Sequence, residues 1–124
     1  MKNNQNDNFD INENQIEAQW EVLIRKLSTS FGKIADLNGV LFLIGVQELG
    51  KGKKFYSKEE KQDLMHIAIC KVMSLSGYYK LIGIDKEGWP HWEATQKLPF
   101  LKINSQENVL KLHILEYFNK EVGF

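Results

Sequence analysis

The clearest candidate for chemistry in this sequence is a stripe of potential metal ligands within one segment. Its members recur at helical spacing and so share one face of a helix: Glu59, Asp63, His66 and Cys70. Carboxylate, imidazole and thiolate groups are common ligands of transition metals. A later segment adds His113 and Glu116, one helical turn apart, as in metal sites inside helix bundles. One hypothesis is therefore a metal-dependent enzyme whose ligands are Asp63, His66, His113 and Glu116.

The expected orientation of these side chains argues against a metal site. On a helical wheel the stripe lies opposite the apolar arc of its own helix, and His113 and Glu116 lie off the apolar stripe of theirs. Ligands of a bundle metal site project inward. The alternative is a solvated helix face on which Cys70 is a half-buried, small apolar residue and not a nucleophile.

Sequence motifs for catalysis are missing as well. The chain contains no nucleophile elbow, no Walker loop, no dinucleotide-binding glycine pattern and no His-Glu-x-x-His motif. The sequence therefore favours a non-enzymatic protein that uses no cofactor.

A dense aromatic set lies in the second half of the chain and predicts a binding surface. Its members flank a turn sequence at 85–88, within two runs of β-forming residues: Tyr78, Tyr79, Trp89, His91 and Trp92. Tyr and Trp are typical anchors of protein interfaces. Both faces of a hairpin cannot pack on one small helical body, so we expect one face to bind another protein chain or a second copy of this one. Packing of these side chains against the helices is the alternative.

A lysine cluster raises a third hypothesis, nucleic-acid binding. It comprises Lys51, Lys53, Lys54, Lys58 and Lys61. The order helix, basic loop, helix and hairpin resembles a winged helix, but the loop at 50–57 exceeds the usual turn of about 3–4 residues. Acidic Glu59, Glu60 and Asp63 lie where a recognition helix would meet DNA. Arg25 is the only arginine, although arginine is the usual residue for phosphate and guanine contacts, which disfavours this hypothesis.

Length and composition set the remaining limits. The chain has 124 residues, 43% of them hydrophobic, and a formal net charge of zero. We expect an Asn-rich disordered tail over 1–12 and a single globular domain over 13–124. A lone cysteine excludes an intrachain disulfide and suits a reducing, cytoplasmic setting. No apolar run approaches the about 20 residues that span a bilayer, so no membrane partner is expected.

Apolar periodicity and capping signals predict a mainly α (α+β) fold, a four-helix domain with one β-hairpin inserted between helices 3 and 4. The helices are expected over about 13–31, 36–49, 58–76 and 105–120. Asp36 and Gly50 mark the ends of the second helix, and Gly39 and Gly45 would permit its close packing against another helix. Ser57 and Glu60 have the spacing of a capping box.

The hairpin turn at 85–88 predicts a definite register. With a four-residue loop, Lys80 faces Glu93, Ile82 faces His91 and Ile84 faces Trp89. Pro90 cannot donate a ladder hydrogen bond, so its strand is expected at a sheet edge.

Three stretches of the sequence carry a resemblance. They are LFLIGVQELG at 41–50, FYSKEEK at 55–61 and GWPHW at 88–92. The region of about 40–93 resembles a small family of uncharacterised bacterial proteins. The resemblance implies a defined fold and a bacterial source, and it implies no activity and no catalytic residue.

Overall fold

A computed structural model describes residues 13–34, 36–52, 54–96 and 103–123, without the side chains of 103–105. The expected tail at 1–12 and the residue Lys53 lie outside the described residues. The described residues fall into two compact units, 13–34 with 103–123 and 36–96. The single domain expected over 13–124 stays a prediction.

The fold class predicted from the sequence is confirmed. Helices α1 (Glu13–Phe31), α2 (Leu37–Leu49) and α3 (Lys58–Ser74) come first, and α4 (Ile103–Tyr117) continues as a π-helical turn over Phe118–Val122. Strands β1 (Tyr79–Ile84) and β2 (Pro90–Ala94) form an antiparallel hairpin between α3 and α4. The described chain is thus mainly α with four α-helices and a two-stranded sheet.

In the first unit α1 packs against α4. The side chains of α1 that are buried recur every three or four residues, as the amphipathic pattern predicted: Ile16, Trp20, Leu23 and Leu27. Lys111 of α4 is buried too, and its Nζ lies 2.9 Å from Glu17 Oε2 and 3.5 Å from Glu107 Oε2. Because a buried charge must be paired, these two carboxylates explain how a lysine occupies this position.

In the second unit the ends of the helices follow local capping chemistry. The Asp36 side chain accepts a hydrogen bond from the Gly39 N–H at 3.0 Å, and Gly50 closes α2 in the left-handed region with φ 76°. The capping box at α3 is complete, with Glu60 N–H donating to Ser57 and Ser57 N–H donating to Glu60. The expected caps of α2 and α3 are confirmed. They could be predicted since each joins residues only a few positions apart in the sequence.

Close packing of α2 on α3 occurs at Gly45. A β-carbon at this position would lie 2.2 Å from the carbonyl oxygen of Leu64, well inside van der Waals contact. Leu64 itself is fully buried. Glycine is therefore required where the two helix backbones meet.

The predicted hairpin register is confirmed away from the turn and wrong near it. The observed pairs are Tyr79 with Ala94, Lys80 with Glu93, Leu81 with Trp92, Gly83 with His91 and Ile84 with Pro90. A bulge between Leu81 and Gly83 adds Ile82 to β1, so the expected partners of Ile82 and Ile84 are replaced. Because opposite residues share a face of the sheet, the bulge brings Ile84 to the same face as Leu81 and Trp92.

Candidate functional site

The hairpin turn is organised by the carboxylate of Asp85. Its Oδ1 accepts hydrogen bonds from the backbone N–H groups of Glu87 at 2.9 Å and Trp89 at 3.0 Å. Its Oδ2 accepts a hydrogen bond from His91 Nε2 at 2.9 Å. Gly88 adopts φ 89°, as expected for the last residue of the turn. A single side chain thus connects the turn to β2.

These contacts make the turn sensitive to strong acid. The hydrogen bond from His91, followed by that from the Trp89 backbone, holds the pKa of Asp85 below its usual value of 3.8. Because the pKa of Asp85 is lower in the folded chain than in the unfolded chain, the ionised carboxylate stabilises the folded turn at pH values above the unfolded pKa. This stabilisation is lost as the pH falls through the folded pKa. We therefore expect the acid transition of the Trp89 amide signal in NMR spectra that reports Asp85 to have its midpoint below pH 3.8.

The matched control for this titration is Asp85→Asn, which removes the titrating group and keeps a side-chain acceptor for the turn. The variant is expected to lose the acid transition of the Trp89 amide. If the transition that Asp85→Asn removes had its midpoint at or above 3.8 in the wild type, the assigned contacts would be contradicted.

The aromatic side chains predicted as a binding surface lie partly against the helices. Trp89 packs on a buried cluster of Leu49, Tyr56 and Leu64. Tyr78, Tyr79 and Trp92 are half-buried, and His91 is exposed. Since α3 also contacts both strands, Trp89 packs the hairpin against the helical part of its unit. Its use as a binding surface stays a prediction.

The exposed apolar residues of the hairpin are aliphatic and belong to β1. The exposed fractions are 48% for Leu81, 58% for Ile82 and 65% for Ile84. We call these three residues the hydrophobic edge. Sequence reasoning placed them in the hairpin without singling them out, although Gly83 within a strand pattern is a recognised signal of the bulge that orients them.

The expected metal ligands divide between the two units. Asp63 and His66 line a groove of about 440 Å³ at α3, together with Asp85 and His91 of the hairpin. His113 and Glu116 belong to α4 in the other unit. Within the parts of the chain that the structure describes, no group of three or more His, Cys, Asp or Glu side chains is placed to hold a metal ion.

Two side chains of the metal hypothesis are more buried than expected. Cys70 is fully buried and not half-buried, because α3 is covered by the hairpin as well as by α2. Burial raises the pKa of the Cys70 thiol to about 11, so Cys70 is neutral at physiological pH and unsuited to nucleophilic attack. His113 is 2% exposed and its Nδ1 donates to the Val109 carbonyl oxygen at 2.7 Å, so its expected position off the apolar stripe is wrong.

The described lysines of the nucleic-acid hypothesis are exposed in and beside the loop before α3. Lys51 Nζ donates to the carbonyl oxygen of Glu87, and Lys54 Nζ lies 5.4 Å from the ring centre of Tyr56. Lys58 and Lys61 are exposed in the first turn of α3, beside the exposed Glu59. The lysines and the acidic residues therefore alternate where a recognition helix would need positive charge alone.

Comparison of the chain with protein-family models, with curated proteins and with solved structures finds no match. The resemblance of region 40–93 to a bacterial family stays a prediction. None of the helices in the described ranges is long and apolar enough to cross a bilayer.

Proposed function

We propose that this protein is a non-enzymatic interaction module that associates with a second copy of itself through the hydrophobic edge. The proposal rests on one observation, the exposure of three large apolar side chains within four residues of an edge strand. Burial of one such side chain is worth about 1.5–3 kcal/mol. Burial of residues 81, 82 and 84 against another protein surface would therefore contribute favourably to the free energy of association.

The charge of the chain favours a second copy as the partner. Sixteen Lys and Arg balance sixteen Asp and Glu, so two copies do not repel each other at neutral pH. Along the hairpin Lys80 lies opposite Glu93, with Nζ and Oε1 4.0 Å apart, and no block of like charge covers the edge. The zero net charge of the chain and the presence of both charge signs beside the hydrophobic edge support self-association over binding to a strongly charged partner.

The bulge determines the kind of contact. An interrupted edge and an adjacent lysine both oppose the addition of a long, regular strand. Contact through the side chains of the hydrophobic edge is therefore favoured over continuous backbone pairing. A hairpin presents less surface than the about 800 Å² per partner of a standard interface, so we expect a weak dimer with a Kd on the order of 100 µM.

Sedimentation equilibrium over a wide concentration range tests the proposal. The wild type is expected to dimerise, and Ile84→Ser is expected to raise the dimer Kd by about tenfold because it removes one buried apolar side chain. Leu81→Ser is expected to act in the same direction. Both positions are already exposed in the monomer, so neither change removes a core contact.

The matched control is Phe31→Ser, which removes an apolar side chain of similar exposure, 53%, at the end of α1 in the other unit. This variant is expected to dimerise like the wild type. A wild type that stays monomeric at millimolar concentration overturns the proposal, as does a dimer whose Kd changes with Phe31→Ser and not with Ile84→Ser.

A further inference from the structure

The loop before α3 presents an aromatic side chain that the proposed self-association does not use. Phe55 is 87% exposed, the largest exposure among the large hydrophobic residues of the described chain. Its neighbour Tyr56 is buried, packs edge-on against Phe42 at 6.1 Å between ring centres, and donates from its hydroxyl to the Gly52 carbonyl oxygen at 3.1 Å. Tyr56 therefore anchors the loop to its unit, while the adjacent Phe55 side chain is exposed to solvent.

Lysines flank this exposed ring in the sequence. Residues 50–58 contain four lysines and no acidic residue. Of the described ones, Lys51, Lys54 and Lys58 are all exposed. A β-carbon added at Gly50 or Gly52 would meet nothing within 4 Å. The loop and the start of α3 therefore expose an aromatic ring together with lysines that precede and follow it in the sequence.

We propose that this loop is a peripheral docking site for an anionic lipid bilayer, with Phe55 entering the interfacial region and Lys54 and Lys58 lying among the headgroups. Aromatic rings favour the bilayer interface, and lysines beside it are attracted to anionic lipids. The expectation of no membrane partner rested on the lack of a spanning segment, and peripheral docking needs none.

A bilayer suits this loop better than a nucleic acid does. A nucleic-acid strand must continue along the protein and would pass the exposed carboxylate of Asp63 one turn farther along α3, whereas contact with a bilayer can be confined to the loop and the start of α3. Single-strand binding also uses several aromatic rings on which successive bases stack, and here Phe55 stands beside a buried Tyr56. The cations are lysines, which act as point charges at headgroups and lack the bidentate fork of arginine.

Cosedimentation with phosphatidylcholine vesicles, with and without phosphatidylserine, tests the proposal. The wild type is expected to sediment with the anionic vesicles only, and less at high salt. Phe55→Ala is expected to lower the partition coefficient by about tenfold, and Lys54→Gln by about fivefold. Phe55→Trp is expected to keep binding, because an indole ring also favours the interface.

Two controls separate the loop from the rest of the surface. Phe31→Ala removes an exposed ring from α1, and Lys26→Gln removes an exposed lysine from the same helix. Both variants are expected to bind vesicles like the wild type. Failure of the wild type to sediment with anionic vesicles at low salt overturns the proposal. So does binding of a single-stranded oligonucleotide that requires Phe55 while vesicle binding does not.

Discussion

Replacing Trp20 with alanine is expected to lower the free energy of unfolding by about 3–5 kcal/mol, the usual cost of emptying a buried aromatic site. Trp20 is 6% exposed on α1, and Lys111 Nζ lies 5.2 Å from its ring centre. The indole therefore fills the core of its unit and also faces the buried ammonium group. Domains of this size are stable by only about 5–15 kcal/mol, so the loss is a large fraction of the total.

Urea denaturation followed by circular dichroism measures this effect. Trp20→Phe keeps an aromatic face toward Lys111 and is expected to cost clearly less than Trp20→Ala. Gln19→Ala changes an exposed position on the same helix and is expected to stay within about 0.5 kcal/mol of the wild type. A Trp20→Ala variant as stable as Gln19→Ala would contradict the placement of Trp20 in the core.

Replacing Gly45 with alanine is expected to cost about 2 kcal/mol. The added β-carbon would lie 2.2 Å from the Leu64 carbonyl oxygen, and a helix backbone cannot yield as a flexible side chain does. Overpacking of a core costs up to about 3 kcal/mol, and the better helix propensity of alanine returns about 1 kcal/mol. The clash therefore outweighs the gain that a glycine-to-alanine change gives inside an unobstructed helix.

The same denaturation experiment checks this expectation, with Gln47→Ala as the control. Gln47 is exposed on the same helix and has no close partner to displace, so the change is expected to be neutral or slightly stabilising. If Gly45→Ala proved as stable as Gln47→Ala, the close approach of α2 and α3 at Leu64 would be wrong.

Features that depend on neighbours in sequence were predictable. The cap at Asp36, the capping box at Ser57 and the left-handed Gly50 each follow from residues within one helical turn. The pairing of Lys80 with Glu93 followed from the turn length alone.

Features that depend on distant neighbours were not predictable from the pattern. A helical wheel assumes one buried face, but α3 contacts α2 and the hairpin, so Cys70 is buried as well. The pairing of Lys111 with Glu17 joins residues far apart in the sequence, and nothing local marks Lys111 as a core residue. The bulge at Ile82 interrupts the alternation on which the predicted register depended, and Gly83 was its local signal.

The proposed interaction surface combines both kinds of feature. The hairpin and its turn followed from residues 78–95, and the aromatic residues drew attention to that region. The structure instead exposes the aliphatic residues of β1 and half-buries the tryptophans. Trp89 packs on Tyr56 and Leu64, so this indole ring helps to hold the hairpin whose first strand presents the aliphatic side chains.

Isotope-filtered NMR on a mixture of labelled and unlabelled protein tests self-association through the hydrophobic edge most directly. Methyl groups of Leu81, Ile82 and Ile84 in the labelled copy are expected to show cross-peaks to protons of the unlabelled copy. The signals should grow with protein concentration and weaken in the Ile84→Ser variant. Intermolecular cross-peaks confined to other residues, or none at concentrations well above the expected Kd, would contradict the account.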